Sequence, residues 1–176
     1  CPPKGGPPKN VLDILGLRAF RLFKQRDTAM FFGTAFLFSI PLAAYFMHTP
    51  QQLRFLGCEQ IAAVMTVGQL TEVVAMLLMG WFLRNWRIKS IFVLALACGS
   101  LRYLLFAVGA AEDSLTCVVI GLSLHGFCWS YFFEAGKVFL ARRIEKAIRT
   151  QSQALLSLLT SGIGGLAGTA FVGWAH

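Results

Sequence analysis

Apolar residues fall into five long runs, at about 29–47, 61–83, 91–111, 115–140 and 155–174, separated by short polar connections. Each approaches the roughly 20 residues that a helix rising about 1.5 Å per residue needs to cross a hydrocarbon core of about 30 Å. The runs are continuous rather than alternating, which argues against the strands of a membrane barrel. They predict an all-α polytopic membrane protein, a helical bundle with five spans across residues 29–176. Nearly thirty residues precede the first run and four more runs follow it, so it does not read as a cleaved signal peptide.

Composition supports lipid as the solvent. Of 176 residues 56% are hydrophobic and only 14% charged, with a mean hydropathy of +0.64. A soluble domain carries about a quarter of its residues as charges. The net charge of +8 is distributed by connection. Lys4, Lys9, Arg18, Arg21, Lys24 and Arg26 precede the first span; Arg84, Arg87 and Lys89 join the second to the third; Arg142, Arg143, Lys146 and Arg149 join the fourth to the fifth. The two remaining connections hold Arg54 with Glu59, and Glu112 with Asp113. Basic short loops stay in the cytoplasm, so the pattern predicts a cytoplasmic N-terminus and a multi-pass orientation consistent with all five spans. The basic residues then report topology and contact with membrane lipid, and no nucleic-acid partner is expected.

Residues 1–10, CPPKGGPPKN, read as a solvated cytoplasmic linker. Residues 11–28 group Val11, Ile14, Leu15, Leu17, Phe20, Leu22 and Phe23 near one face. That predicts an amphipathic helix, lying on the inner membrane surface or extending the first span into the cytosol. The absence of an initiator Met and the odd number of crossings predict a fragment of a longer chain.

Catalytic signatures are sparse. Cys1, Cys58, Cys98, Cys117 and Cys128 form no CxxC pair, the three histidines are His48, His125 and His176, and no GxSxG, HExxH or Walker loop occurs. No catalytic residue, metal site or cofactor is expected. Polar residues inside spans carry more information, because a charge near the bilayer centre costs about 2.5–3.5 kcal/mol and persists mainly where it meets a cavity or a partner. Gln69 and Glu72 in the second span are i and i+3, one turn apart on a shared face. Arg102 lies in the third span. In the fourth, His125, Trp129, Phe132 and Gly136 follow helical spacing as one stripe, with Glu134 and Lys137 nearer its end. Together these suit a small polar, aromatic pocket. Glu72 favours a ligand-facing or proton-carrying role over an ion pair with Arg102, and His125 is open to ligand contact or packing. In the fifth span Ser157, Ser161 and Gly165, with Gly164 and Gly168 alongside, form a small-residue ridge for close helix contact.

Five stretches carry a family resemblance: VMTVGQLTEVVAMLL, FLRNWRIK, LRYLLFA, LHGFCWSYFFEAG and IRTQSQALLSLLTSGIGGLAG. Over roughly residues 11–176, in order, spacing and loop placement, they resemble the second half of a major facilitator transporter, specifically the bacterial nucleoside:proton symporter family. The resemblance implies that the spans are helices seven to eleven of twelve, that the N-terminal six-helix half and the last helix are missing, and that residues 1–10 belong to the central linker. It implies a bacterial inner-membrane carrier importing nucleosides with protons, by alternating access around a midplane site. It also implies nucleoside contacts at Gln69, Glu72, His125 and Trp129. Trp129 would stack on the base, and Gln69 and Glu72 would bond ribose hydroxyls. Glu72 and Arg102 are the candidates for proton coupling or an ion pair. The chain departs from its relatives at Ser130, where an aspartate is common, near Met47, His48 and Pro50, where amides are common, and at Arg84, where the general facilitator loop motif has an aspartate. Other readings are a carrier of another small polar solute such as a sugar, a membrane-embedded enzyme, and a structural membrane subunit.

Overall fold

The computed structural model describes residues 17–174. The expected linker at 1–10 and the start of the amphipathic segment at 11–28 lie outside the described residues. A tight 3-10 stretch, Leu17–Lys24, is followed by α1 (Arg26–Phe55), α2 (Ile61–Asn85), α3 (Ile88–Ala111), α4 (Leu115–Arg143) and α5 (Arg149–Trp174). All five helices are long and apolar enough to cross a membrane. Two are interrupted by π-helical turns, Ser130–Glu134 in α4 and Leu158–Gly164 in α5.

Most helices outrun the apolar runs that announce them, because their ends continue as amphipathic turns. Beyond Met47, α1 keeps Thr49 and Leu53 buried while Gln51, Arg54 and Phe55 are exposed, and Gln52 Nε2 donates to the Phe106 carbonyl of α3 at 2.8 Å. The connections are closed by local chemistry. Gly57 adopts a left-handed φ of 74° after α1, and the Cys58 N–H returns to the Leu53 carbonyl at 3.0 Å, a Schellman-type stop. Asp113 takes the same left-handed role after α3, with φ 48°; the Ser114 N–H returns to the Gly109 carbonyl at 2.9 Å. Ser114 Oγ then caps α4 by accepting from the Cys117 N–H at 3.4 Å.

The chain divides into two units, Cys1–Ala44 with Lys137–His176, and Tyr45–Gly136. In the first, Thr28 Oγ1 ties the 3-10 stretch to α1 by donating to the Leu22 carbonyl at 2.6 Å and the Gln25 carbonyl at 2.9 Å. Phe23 meets Phe32 with ring centroids 5.3 Å apart, and Phe31 meets Phe139 at 5.4 Å. Helices α1 and α5 touch at small residues. A methyl group added to Gly168 would come within 2.6 Å of Ala43 Cβ and 2.7 Å of the Ile40 carbonyl, and one added to Gly164 would strike Ser39 Oγ. Gly164 and Gly168 therefore form the contact ridge, whereas Ser157 and Ser161, expected on it, are exposed. The π turn between them accounts for the change, since its extra residue rotates the register.

Asp27 and Arg143 pair at 2.6 Å, but both side chains are nearly half exposed (47% and 45%). Pairs this wet contribute less than about 1 kcal/mol. Asp27→Asn is expected to leave the thermal unfolding midpoint of the purified protein unchanged within error, as read by a fluorescence melt.

In the second unit α3 and α4 run antiparallel, with large residues seated against glycines. A Cβ on Gly109 would lie 2.6 Å from Val118, and one on Gly121 would lie 2.8 Å from the Phe106 ring. One step further along, Arg102 faces His125. Helix α2 buries Gly68, Ala75 and Met79. Its opposite side, with Leu70, Val73, Val74 and Leu77 exposed, suits lipid or further protein.

Candidate functional site

Gly68, Ala75 and Met79 recur at helical spacing, and Glu72 falls on the same stripe. The stripe faces α4. A Cβ on Gly68 would lie 3.4 Å from His125 Cβ and Cδ2, and a Cβ on Gly126 would collide with the backbone of Thr71 and Glu72. Glycine is the only residue that lets the two backbones approach this closely. Glu72 is thereby set directly beside the His125–Trp129 segment, with its side chain half-buried. Gln69, one residue after Gly68, is exposed. The two polar residues straddle the edge of the buried stripe rather than sharing its centre.

Arg102, near the middle of α3, is fully buried at 0% exposure. Its guanidinium Nη1 lies 2.6 Å from His125 Nδ1 and donates to Cys128 Sγ at 3.4 Å, while Nη2 donates to the Tyr103 hydroxyl at 2.8 Å. Among the described residues it lies over the rings of Tyr45 and Tyr103, each 4.6 Å from the ring centroid. Cation–π contacts and hydrogen bonds gain strength where water is excluded. They offset part of the cost of burying the cation, although its Nε has no hydrogen-bond partner among the described residues.

The His125 ring stacks on Tyr45 at 4.5 Å and 16°, receives the edge of Phe46 at 5.8 Å, and lies nearly parallel to Trp129 at 6.3 Å. Trp129 in turn meets Phe133 at 4.5 Å. The expected aromatic stripe holds from His125 to Trp129 and then changes. Phe132 is buried against Phe92 of α3, with centroids 5.6 Å apart. The π turn begins at Ser130, and its wider winding breaks the i, i+4, i+7 rule on which the stripe depends. Ser130 is itself fully buried, and its hydroxyl has no hydrogen-bond partner among the described residues.

The site therefore gathers Arg102, His125, Trp129 and the backbone of Glu72, and leaves Gln69 at its rim. Tyr45, Tyr103 and Cys128 were not expected there. Tyr103 adjoins Arg102 and Cys128 follows His125 by three, so helical spacing could have flagged both; Tyr45 carries no such signal within its apolar run.

The sequence profile of the family described as "Nucleoside H+ symporter" matches residues 1–176. The chain belongs to this family. It is 30% identical over 169 residues to the putative nucleoside transporter YegT of Escherichia coli (strain K12), covering 95% of this chain and 40% of that protein. It is 27% identical over 166 residues to the nucleoside permease NupG of the same organism, covering 88% and 40%. The fold matches the crystal structure of the nucleoside transporter NupG (D323A mutant) with a TM-score of 0.79 at 26% identity, over 95% of this chain and 44% of that one. The chain thus spans about 40% of the length of the relatives it matches. A nucleoside H+ symporter family chain with five membrane-length helices fits the expected architecture, a partial facilitator bundle.

Proposed function

We propose that this chain is part of a proton-coupled secondary transporter that imports nucleosides by alternating access. The observation that carries the proposal is the placement of Glu72, on the buried stripe of α2 and against Gly126, beside the His125–Trp129 ring stack in a chain of this family. The half-exposed indole of Trp129 offers a face on which a nucleobase can stack. Gln69, at the open rim, and Glu72, half-buried, offer the acceptors that ribose hydroxyls require. Glu72 is also the carboxylate placed to take up and release the coupling proton, since Ser130 cannot. Arg102 supplies fixed positive charge beside His125.

The carrier sits in the bacterial inner membrane, and the basic connections Arg84–Lys89 and Arg142–Arg149 lie with the N-terminal side of this chain in the cytoplasm. A further six-helix half and a twelfth helix complete the substrate path.

Uptake of labelled uridine into cells or proteoliposomes holding the full-length carrier tests the reading. Accumulation above the outside concentration should collapse with a protonophore and be competed by unlabelled nucleosides but not by sugars. Competition by sugars alone would transfer the site to another solute class, and accumulation indifferent to the protonophore would remove the proton.

A further inference from the structure

We propose that Arg102 is a positioning residue that fixes the tautomer of His125, so that His125 serves the site as a hydrogen-bond donor through Nε2 and does not carry the coupling proton. The proposal rests on the nucleoside-site reading above. A guanidinium N–H donates and never accepts, and arginine stays protonated in proteins. With Nη1 2.6 Å from Nδ1, Nδ1 must therefore be the acceptor, and the ring's single proton sits on Nε2. Which nitrogen of a histidine carries the proton is set by the bond the other makes.

Neither partner has room to change the arrangement. The guanidinium has no exposed surface; it is fastened to Tyr103 and Cys128 and lies against the rings of Tyr45 and Tyr103. The imidazole is 6% exposed, stacked on Tyr45, edged by Phe46 and backed at Cδ2 by Gly68. A second ring proton would have only Nδ1 to occupy, where it would point into the guanidinium nitrogen and replace a hydrogen bond with two facing cations. The free donor, Nε2–H, lies on the side of the ring away from Arg102. Its complement on a nucleoside is an acceptor of the base, a carbonyl oxygen or a ring nitrogen. Arg102 does not touch the ligand, since it is enclosed; it acts through the ring it holds.

Nitrogen NMR of the full-length carrier, labelled with 15N-histidine in lipid nanodiscs and assigned by comparison with the His125→Gln variant, reads the tautomer directly. An unprotonated Nδ1 with a protonated Nε2 is expected. A protonated Nδ1, alone or with Nε2, would overturn the proposal, whatever the carrier transports. In uridine uptake, His125→Phe, which keeps a ring but removes both nitrogens, is expected to raise KM by up to about tenfold, the loss of one hydrogen bond, while protonophore-sensitive accumulation persists at saturating uridine. Loss of accumulation with KM intact would make His125 the proton carrier and refute the idea. Arg102→Met should reproduce the KM effect and abolish the single-tautomer signature; an unchanged signature would show that Arg102 does not set it. Failure of the unmutated carrier to take up uridine would instead refute the function, and leaves the tautomer measurement valid.

Discussion

Gly126→Ala is expected to cripple the carrier, lowering its thermal unfolding midpoint by several degrees and reducing transport in proportion to the folded protein that remains. One methyl group is a small change, but here it would meet backbone atoms of Thr71 and Glu72 rather than the end of a flexible side chain. A side chain can swing aside; a helix backbone moves only with the whole element. Overpacking of this kind costs about 1–3 kcal/mol where neighbours can adjust, and these cannot. Two glycines act as controls. Gly80 lies on the same helix as Glu72, and Gly33 on α1, each with nothing within 4 Å of an added Cβ. Alanine at either should be neutral or slightly stabilising, because glycine inside a helix costs up to about 1 kcal/mol relative to alanine. A melt in which Gly126→Ala matched Gly80→Ala would refute the close contact between α2 and α4.

Glu72→Gln is expected to abolish proton-driven accumulation of labelled uridine by the full-length carrier. The substitution keeps shape and hydrogen-bonding atoms but removes the titratable group. Because the amide still offers an acceptor, exchange of uridine across the membrane without a gradient should survive better than accumulation does. The contrast between the two assays separates loss of coupling from loss of the binding site. Undiminished accumulation would remove Glu72 from the proton path.

Much of the fold was legible because lipid imposes a simple demand: backbone groups must be satisfied within each segment, and the apolar runs state where. Helix ends were less legible. At the end of α1 the chain turns from uniformly apolar to amphipathic, and whether Thr49 and Leu53 continue the helix depends on what they bury, which the run itself does not encode. Within the site, Gln69 and Glu72 stood out because polar groups are costly in lipid. Their unequal exposure did not, since i, i+3 spacing places them about 60° apart and only the position of α4 decides which one faces inward. The shell around Arg102 was hidden for a similar reason. Tyr45 is separated from Arg102 by most of two spans, and nothing local to either residue announces the other. The glycine ridge of α5 and the ring stripe of α4 were read as unbroken helices, and in each the extra residue of a π turn moved part of the pattern.

Those two turns mean that α4 and α5 are each two helices in different phase, spliced end to end. A residue added to the winding offsets everything beyond it by about 100°, so comparison of one carrier with another must be made half-helix by half-helix. A chimaera joined inside Ser130–Glu134 or Leu158–Gly164 risks swinging Phe139 or Gly168 away from its partner, even if every residue in it is taken from a working protein. Exchange of a segment with the turn carried whole keeps the phase on both sides, and with it the surface that each half presents to its neighbours.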